Sequence, residues 1–168
     1  MSLPSLDGLY AGYPRDPKPC TQPYRNQCAI RMSIAFNAEG TIQVNRRTYD
    51  GTYCRHGHAR GAEHLAGWLS SRRRLNRPLR FRDVEMAKLA LQTMSGIIFF
   101  RDCFPRQDAH GRKRMVGDHI DLWVREARVR TYRAAAYSEP LQSEWARDAL
   151  TYNDPRNESR EVWFWPLA

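Results

Sequence analysis

A cysteine at the predicted start of a helix is the residue of this chain whose position most favours chemistry. Asn26 and Gln27 precede Cys28, and an apolar pattern with helical spacing follows over residues 29–36. Asn26 is a residue type that caps helices, so we expect it to be the N-cap and Cys28 to lie in the first turn. Unpaired amides and the helix dipole favour a thiolate there, and the thiolate is the nucleophilic form. The pattern predicts a reactive cysteine, with a small buried apolar residue as the plainer alternative.

A histidine on a predicted strand could serve as the base for that cysteine. The chain has five histidines, and His119 opens a strand predicted over residues 118–124. Side chains alternate along a strand, so His119 and Asp121 share one face, while Ile120 and Leu122 share the other. A carboxylate on the same face can orient an imidazole and stabilise its protonated form. Cysteine on a helix followed by histidine on a strand is the order found in papain-like cysteine hydrolases.

The elements that must position these residues are predicted as helices first and strands afterwards. After the first helix, an extended stretch is predicted at 41–44, helices at 61–73 and 82–93, and strands at 97–101, 118–124, 129–134 and 161–167. This order favours an α+β fold with an antiparallel sheet. Five prolines within residues 1–25 predict an N-terminal arm without a helix. No linker divides the chain, so one domain is expected over residues 1–168.

Composition and charge exclude several classes of protein. The 168 residues are 42% hydrophobic and 11% aromatic, which does not fit a disordered chain. No apolar run approaches the roughly 20 residues of a membrane span, and residues 1–10 do not resemble a secretory signal. The net charge is +9, and only three of the 27 basic residues are lysines, Lys18, Lys88 and Lys113. Such a protein is attracted to polyanions, among them nucleic acid, anionic lipid and the bacterial wall.

Four sequence blocks together resemble one family, the fourth class of bacterial type VI secretion amidase effectors. Residues 26–35, NQCAIRMSIA, are similar to its nucleophile helix. Residues 54–69 are similar to its C-x-H-G-x-x-R-G-A-x-x-L-A-x-x-L block, and residues 118–123, DHIDLW, to its G-H-I-D-L-W histidine strand. Residues 162–165, VWFW, match its closing W-F-W strand. The four blocks occur in the family's order and extend over nearly the whole chain after the arm.

The resemblance implies a papain-like, NlpC/P60-type peptidoglycan amidase, with its nucleophile helix packed on an antiparallel sheet. Such effectors are delivered by the type VI secretion apparatus into a competitor's periplasm, without a signal peptide. There they cut the γ-D-glutamyl–meso-diaminopimelate bond of the peptide stem, and a cognate immunity protein protects the producer. Cys28 would be the nucleophile and His119 the general base and then acid. No cofactor, metal, nucleic-acid partner or membrane insertion is expected.

Two positions depart from the family pattern. Asp118 replaces the glycine before the histidine, and Arg130 stands where the family carries its third catalytic residue, an aspartate. We therefore expect Asp121 to orient His119, with Glu126 as the second candidate and a backbone carbonyl or side-chain amide as further ones. For the oxyanion, the Cys28 backbone amide is the first candidate donor. The side chain of Gln27 or Asn26 is the second.

The remaining features have plainer interpretations. Cys54, His56 and His58 look like metal ligands, but three such groups directly before a helix are more typical of a structural turn. One disulfide among Cys20, Cys54 and Cys103 is compatible with an oxidising periplasm, and the sequence does not pair them. Trp163 and Trp165 are expected in the core of the sheet rather than in a sugar-stacking platform.

Two alternative functions stay open at this point. A nucleic-acid-binding module would use arginines for phosphates and aromatic rings for bases. That hypothesis explains the charge but gives no reason for Cys28 or for the His119 strand. A member of the amidase fold altered in its catalytic machinery is the other alternative, because Arg130 stands at the third catalytic position.

Overall fold

The computed structural model describes residues 2–16, 18–71, 74–91, 93–107, 109–124 and 159–168. The helices are α1 (Leu6–Gly12), α2 (Cys28–Glu39), α3 (Ala62–Leu69) and α4 (Val84–Leu91). The strands are β1 (Leu79–Phe81), β2 (Gly96–Gln107), β3 (Lys113–Trp123) and β4 (Glu161–Pro166). The predicted α+β class is confirmed. The strand predicted at 129–134 lies outside the described residues.

The four described strands form one antiparallel sheet in the order β1-β4-β2-β3. Strands β2 and β3 form a hairpin in which Phe100 lies opposite His119 and Ile98 lies opposite Asp121. The pairing becomes irregular between Phe100 and Phe104, directly after the His119 pair. A bulge of this kind bends a strand and re-aims its side chains, and bulges are frequent beside active sites.

Helix α2 supplies a large part of the core, and the sheet supplies the rest. Its buried residues include Ala29, Met32, Ala35 and Phe36, and it packs against α1, α3 and β3. The helix ends at Gly40, which has a φ of 96° and donates its N–H to the carbonyl of Phe36. A left-handed residue after the last turn is the usual end of a helix, and glycine adopts it without strain.

The prediction of an N-terminal arm without a helix was wrong, because α1 forms between two of the prolines. The Ser5 hydroxyl accepts a hydrogen bond from the Gly8 N–H at 3.0 Å and caps the helix. Leu6 and Leu9 are fully buried in the main core. Pro4 precedes the cap, where proline does not interrupt a helix. The density of prolines was therefore a poor guide to this short segment.

The extended stretch predicted at 41–44 does not join the sheet. Instead, the side-chain amide of Asn37 pairs with the backbone of Val44: Asn37 Oδ1 accepts from the Val44 N–H at 2.7 Å, and Asn37 Nδ2 donates to the Val44 carbonyl at 3.0 Å. The Asn37 side chain thus makes the two hydrogen bonds with Val44 that a neighbouring strand would otherwise make. Strand β1, which pairs with β4, was missed because its three residues are too few to show an alternating pattern.

The sheet is buried on both faces near its centre. Trp163 and Trp165 belong to the main core, which also contains α2, whereas Phe164 belongs to a second cluster with α4. This confirms the expectation that the two tryptophans are core residues, since they are only 5% and 2% exposed. Within the part of the chain that the structure describes, none of the helices has the length and apolar character needed to cross a membrane.

Candidate active site

Cys28 is the first residue of α2 and is buried. The N-cap position is occupied by Gln27, whose side chain makes no capping bond, so the expectation that Asn26 is the N-cap was wrong by one residue. Asn26 lies one residue before the N-cap, and its Oδ1 accepts the Cys28 backbone N–H at 3.1 Å. Asparagine commonly bonds the backbone two residues further on, which forms a tight turn. This turn fixes the backbone from which the Cys28 thiol projects.

Gln27 is held away from any oxyanion by the backbone of Cys20. Gln27 Oε1 accepts the Cys20 N–H at 2.8 Å, and Gln27 Nε2 donates to the Cys20 carbonyl at 2.9 Å and to the Gln22 carbonyl at 3.5 Å. Both amide hydrogens are thus in use, and the side chain is buried. The expectation that Gln27 could be an oxyanion donor is therefore wrong. Gln27 instead anchors the segment that leads into the helix.

His119 contacts both Cys28 and Asp121. Its Nε2 lies 3.4 Å from Asp121 Oδ2, and the imidazole also interacts with the Cys28 side chain. Burial alone would lower the pKa of His119, but the interactions with Asp121 and Cys28 outweigh burial and raise the pKa to about 9. The imidazole is therefore protonated at neutral pH. A protonated imidazole beside a thiol is the arrangement that favours the thiolate.

Asp121 is held in its ionised form inside the protein. Burial raises the pKa of this carboxyl. The bond and charge of His119, the charge of Arg31 and the Tyr13 hydroxyl together lower the pKa by more than burial raises it, so the pKa lies below its ordinary value. Its Oδ1 also accepts the Leu122 backbone N–H at 2.8 Å. The alternation of side chains along β3 thus correctly placed His119 and Asp121 side by side.

Two residues of this site, Tyr13 and Arg31, were missed by the sequence analysis. The Arg31 guanidinium stacks on the Tyr13 ring, 4.4 Å from its centre, and donates to the Pro14 carbonyl at 3.2 Å. Burial and the charge of Asp121 raise the pKa of Tyr13 well above its ordinary value. The buried hydroxyl interacts with that carboxylate without reaching full hydrogen-bond geometry. No spacing rule marks Tyr13, which follows α1 in the arm.

The other positions singled out in the sequence take no part in this contact or lie outside the described residues. Asp118, which replaces the family's glycine, points away from the site, since its Oδ1 accepts the Asp102 N–H at 3.0 Å. Another of the five histidines, His64, packs edge-on against the ring of Tyr49. Glu126 and Arg130 lie outside the described residues.

A second cluster of reactive side chains lies near the first. The ligand atoms of Cys20, Cys54 and His56 all lie within 4.8 Å of one another. The predicted turn is present: the Gly57 N–H bonds the Cys54 carbonyl and the Cys54 N–H bonds the His58 carbonyl, each at 2.9 Å. The sequence analysis considered Cys20 and Cys54 only as members of an unpaired set of possible disulfide partners and did not place Cys20 beside His56, from which 36 residues separate it. All four cysteines are buried free thiols.

The chain matches one protein family and is similar to solved structures. The family model of "Type VI secretion system (T6SS), amidase effector protein 4", Tae4, matches residues 24–165. A crystal structure of the effector Tae4 from Salmonella typhimurium in complex with the immunity protein Tai4 from Enterobacter cloacae is 18% identical, with a TM-score of 0.50. The match covers 86% of this chain and 77% of that one.

A second structure supports the same fold. The Tae4/Tai4 effector–immunity system from Salmonella typhimurium is similar with a TM-score of 0.51 and 16% identity, over 86% of this chain and 76% of that one. No curated protein matches the chain. The range matched by the family model includes Cys28, His119 and Asp121.

Proposed function

This chain belongs to the family of type VI secretion system amidase effector protein 4, and we propose that it cleaves the γ-D-glutamyl–meso-diaminopimelate bond of peptidoglycan with Cys28 as nucleophile. As a member of the family, the chain is an amidase effector delivered to target bacteria. The observation that carries the proposal is the position of His119, which is bonded to Asp121 and interacts with the Cys28 side chain. We place the reaction in the target's periplasm, reached through the secretion apparatus and not through a signal peptide.

The proposed reaction proceeds through a thioester. The Cys28 thiolate attacks the carbonyl carbon of the amide, and the protonated His119 donates its proton to the departing amine as the C–N bond breaks. Water then attacks the thioester while the now neutral His119 accepts its proton, which releases the carboxylic acid and restores the thiolate. A His119 pKa of about 9 suits the first step, because the acid is already charged at neutral pH.

Asp121 is proposed as the residue that orients His119. The carboxylate bonds the imidazole directly, and its charge stabilises the imidazolium that must form after each turnover. This contact argues against a catalytically altered member of the fold, since Asp121 supplies a carboxylate although Arg130 replaces the family's aspartate. The site does not support the alternative of a nucleic-acid-binding module, because a buried group of cysteine, histidine and aspartate has no role in binding phosphates.

The oxyanion would be stabilised by two donors at the start of α2. The Cys28 backbone N–H is one, and it must exchange Asn26 Oδ1 for the substrate oxygen. The Asn26 amide nitrogen is the other, since Asn26 is exposed and its Nδ2 has no hydrogen-bond partner among the described residues. Donors placed where negative charge develops are worth most in such reactions.

The partners follow from the same family membership. Both similar structures hold an effector with an immunity protein. We propose that a cognate immunity protein likewise binds this chain, and the net charge of +9 favours an acidic binding surface on that partner. We also propose that residues 1–168 form a single amidase domain, with the arm as part of it.

The direct test is digestion of purified sacculi, followed by mass spectrometry of the released muropeptides. Wild type should release peptide fragments cut between D-glutamate and diaminopimelate, and Cys28→Ala and His119→Ala should not. Cys103→Ala is the matched control, because Cys103 is a buried cysteine of the other core cluster. Fragments cut at another bond would overturn the substrate assignment. Equal release by Cys28→Ala would overturn the assignment of the nucleophile.

A further inference from the structure

We propose that Cys20, Cys54 and His56 form a zinc-binding site that joins the N-terminal arm to the loop before α3. The three ligand atoms lie within 4.8 Å of one another, and Cys20 Sγ is 3.8 Å from His56 Nδ1. Two thiolates and an imidazole are ligands that zinc prefers over the harder cations. None of the three residues belongs to the proposed catalytic contact, so this inference does not rest on the proposed function.

The separation of one sulfur and one nitrogen in the cluster is close to that of ligands around a tetrahedral zinc ion. Zinc binds sulfur at about 2.3 Å and nitrogen at about 2.0 Å, which puts sulfur and nitrogen ligands roughly 3.5 Å apart. The separation of Cys20 Sγ and His56 Nδ1 is within a few tenths of an ångström of this value. His58 Nδ1 lies 3.7 Å from Cys54 Sγ, but His58 is not part of the cluster of three. The fourth ligand of a tetrahedral zinc would therefore be a water molecule, or His58 after a rotation of its side chain.

The surroundings suit a neutral zinc–dithiolate complex. Cys20 and Cys54 are 3% and 1% exposed and pack with Ile30 in a small apolar cluster. Each thiol releases its proton on binding, so two thiolates balance the charge of the metal and no net charge is buried. His56 is exposed, which opens the site to the metal from solvent.

Zinc binding requires one change at His56. Arg55 Nε donates to His56 Nε2 at 3.2 Å, which places the proton of the neutral imidazole on Nδ1, beside Cys20. A metal bound at Nδ1 moves that proton to Nε2, so the Arg55 hydrogen bond must be given up. Arg55 is exposed, and its Nη2 also donates to Thr21 Oγ1, so only the Nε bond has to be released. Replacing Arg55 removes both bonds but none of the proposed zinc ligands, so Arg55→Ala should still bind zinc and serves as a control.

The site would stabilise the segment that leads into the nucleophile helix. The backbone of Cys20 holds the side chain of Gln27 through two hydrogen bonds, and Gln27 directly precedes Cys28. A metal that fixes Cys20 to Cys54 thus fixes one end of that pairing to the loop before α3. A ligand that binds the folded state alone raises stability. We expect zinc to raise the melting temperature of the whole chain.

The test is the zinc content of the reduced, full-length protein, measured by elemental mass spectrometry after equilibration with zinc and desalting. Wild type should retain about one zinc per chain. Cys20→Ser and Cys54→Ser should lose it, whereas Cys103→Ser and Arg55→Ala should keep it. Substitution with cobalt gives a second readout, because thiolate-to-cobalt charge-transfer absorption should appear in wild type and be absent in Cys20→Ser. Circular dichroism checks that each variant is folded.

Three results would overturn the proposal. The first is wild type with no more zinc than Cys20→Ser. The second is equal loss of zinc in Cys103→Ser, which would place the metal elsewhere. The third is a Cys20–Cys54 disulfide in peptides of the protein recovered from the periplasm, since oxidised sulfurs no longer bind as thiolates. Sacculus digestion is measured separately, so a metal-free wild type that still releases fragments would remove the zinc site and leave the amidase function standing.

Discussion

His119 and Asp121 lie two residues apart on one strand and are joined at 3.4 Å between Nε2 and Oδ2. The carboxylate that serves the imidazole is therefore supplied by the histidine's own strand. Neither residue needs the segment that carries Arg130 to complete this contact. Since the pair is buried, each group strongly affects the protonation of the other.

Replacing the carboxylate should lower the pKa of His119. Burial by itself lowers that pKa, and the bond to Asp121 is the largest effect raising it. In Asp121→Asn we expect the pKa to fall from about 9 toward or below its ordinary value of 6.5. The measurement is a pH titration of the His119 ring signals by NMR, with the signal assigned by His119→Gln.

Asp118→Asn is the control for this titration. Asp118 is on the same strand, but it bonds the Asp102 backbone and faces away from His119. Its replacement should leave the His119 titration unchanged. A His119 pKa that stays near 9 in Asp121→Asn would show that a group other than Asp121 raises the pKa of His119.

The stability of wild type should fall as the pH rises toward 9. The folded-state pKa of His119 is raised, so its stabilising effect is complete below the unfolded value of 6.5 and is lost as the pH passes about 9. Between these values the folded state retains a proton that the unfolded chain releases. The free energy of unfolding should decrease by up to 1.4 kcal/mol per pH unit, or roughly 3 kcal/mol in total.

Urea denaturation across this pH range measures the effect. Asp121→Asn is the reference protein, because its His119 should titrate near the unfolded value and contribute little slope. The difference in unfolding free energy between wild type and Asp121→Asn should thus shrink as the pH rises. A constant difference would contradict the raised pKa.

Tyr13→Phe should weaken catalysis without changing substrate binding. The Tyr13 hydroxyl lowers the pKa of Asp121, and its ring lies under the Arg31 guanidinium. Its loss should raise the pKa of Asp121, so that the carboxylate becomes protonated at higher pH. In a plot of kcat against pH, the acidic limb should therefore shift to higher pH, with KM little changed. Tyr53→Phe is the control, since it removes a hydroxyl that bonds the Tyr49 carbonyl outside the site. Equal profiles for wild type and Tyr13→Phe would exclude a positioning role.

Local patterns predicted the part of the site that lies within single elements. The alternation along β3 places His119 beside Asp121, and the apolar pattern after Gln27 places Cys28 at a helix start. Tyr13 could not be found in this way, because it reaches Asp121 only through the packing of the arm on α2 and β3. Contacts between segments distant in sequence leave no periodic signal in either one.

The same limit applies to the boundaries of secondary structure. Helix α1 exists because Ser5 caps it and because Leu6 and Leu9 find a core to enter, while the prolines nearby argue against any helix. Strands β2 and β3 extend beyond their predicted ends, since polar residues continue the hairpin outside the core. The Cys20 thiol lies beside the Cys54 thiol only because the N-terminal arm packs against the loop before α3.

Asn26→Ala should lower kcat roughly 100-fold with KM little changed, because it removes a donor used only in the transition state. Asn26 also accepts the Cys28 N–H, so its loss could instead displace the thiol. Alkylation of Cys28 by iodoacetamide separates the two effects, since that reaction develops no oxyanion. If Asn26 is an oxyanion donor, the alkylation rate stays at the wild-type level while muropeptide release falls. A parallel fall in both rates would assign Asn26 to the positioning of Cys28, and unchanged release would leave it no role in catalysis.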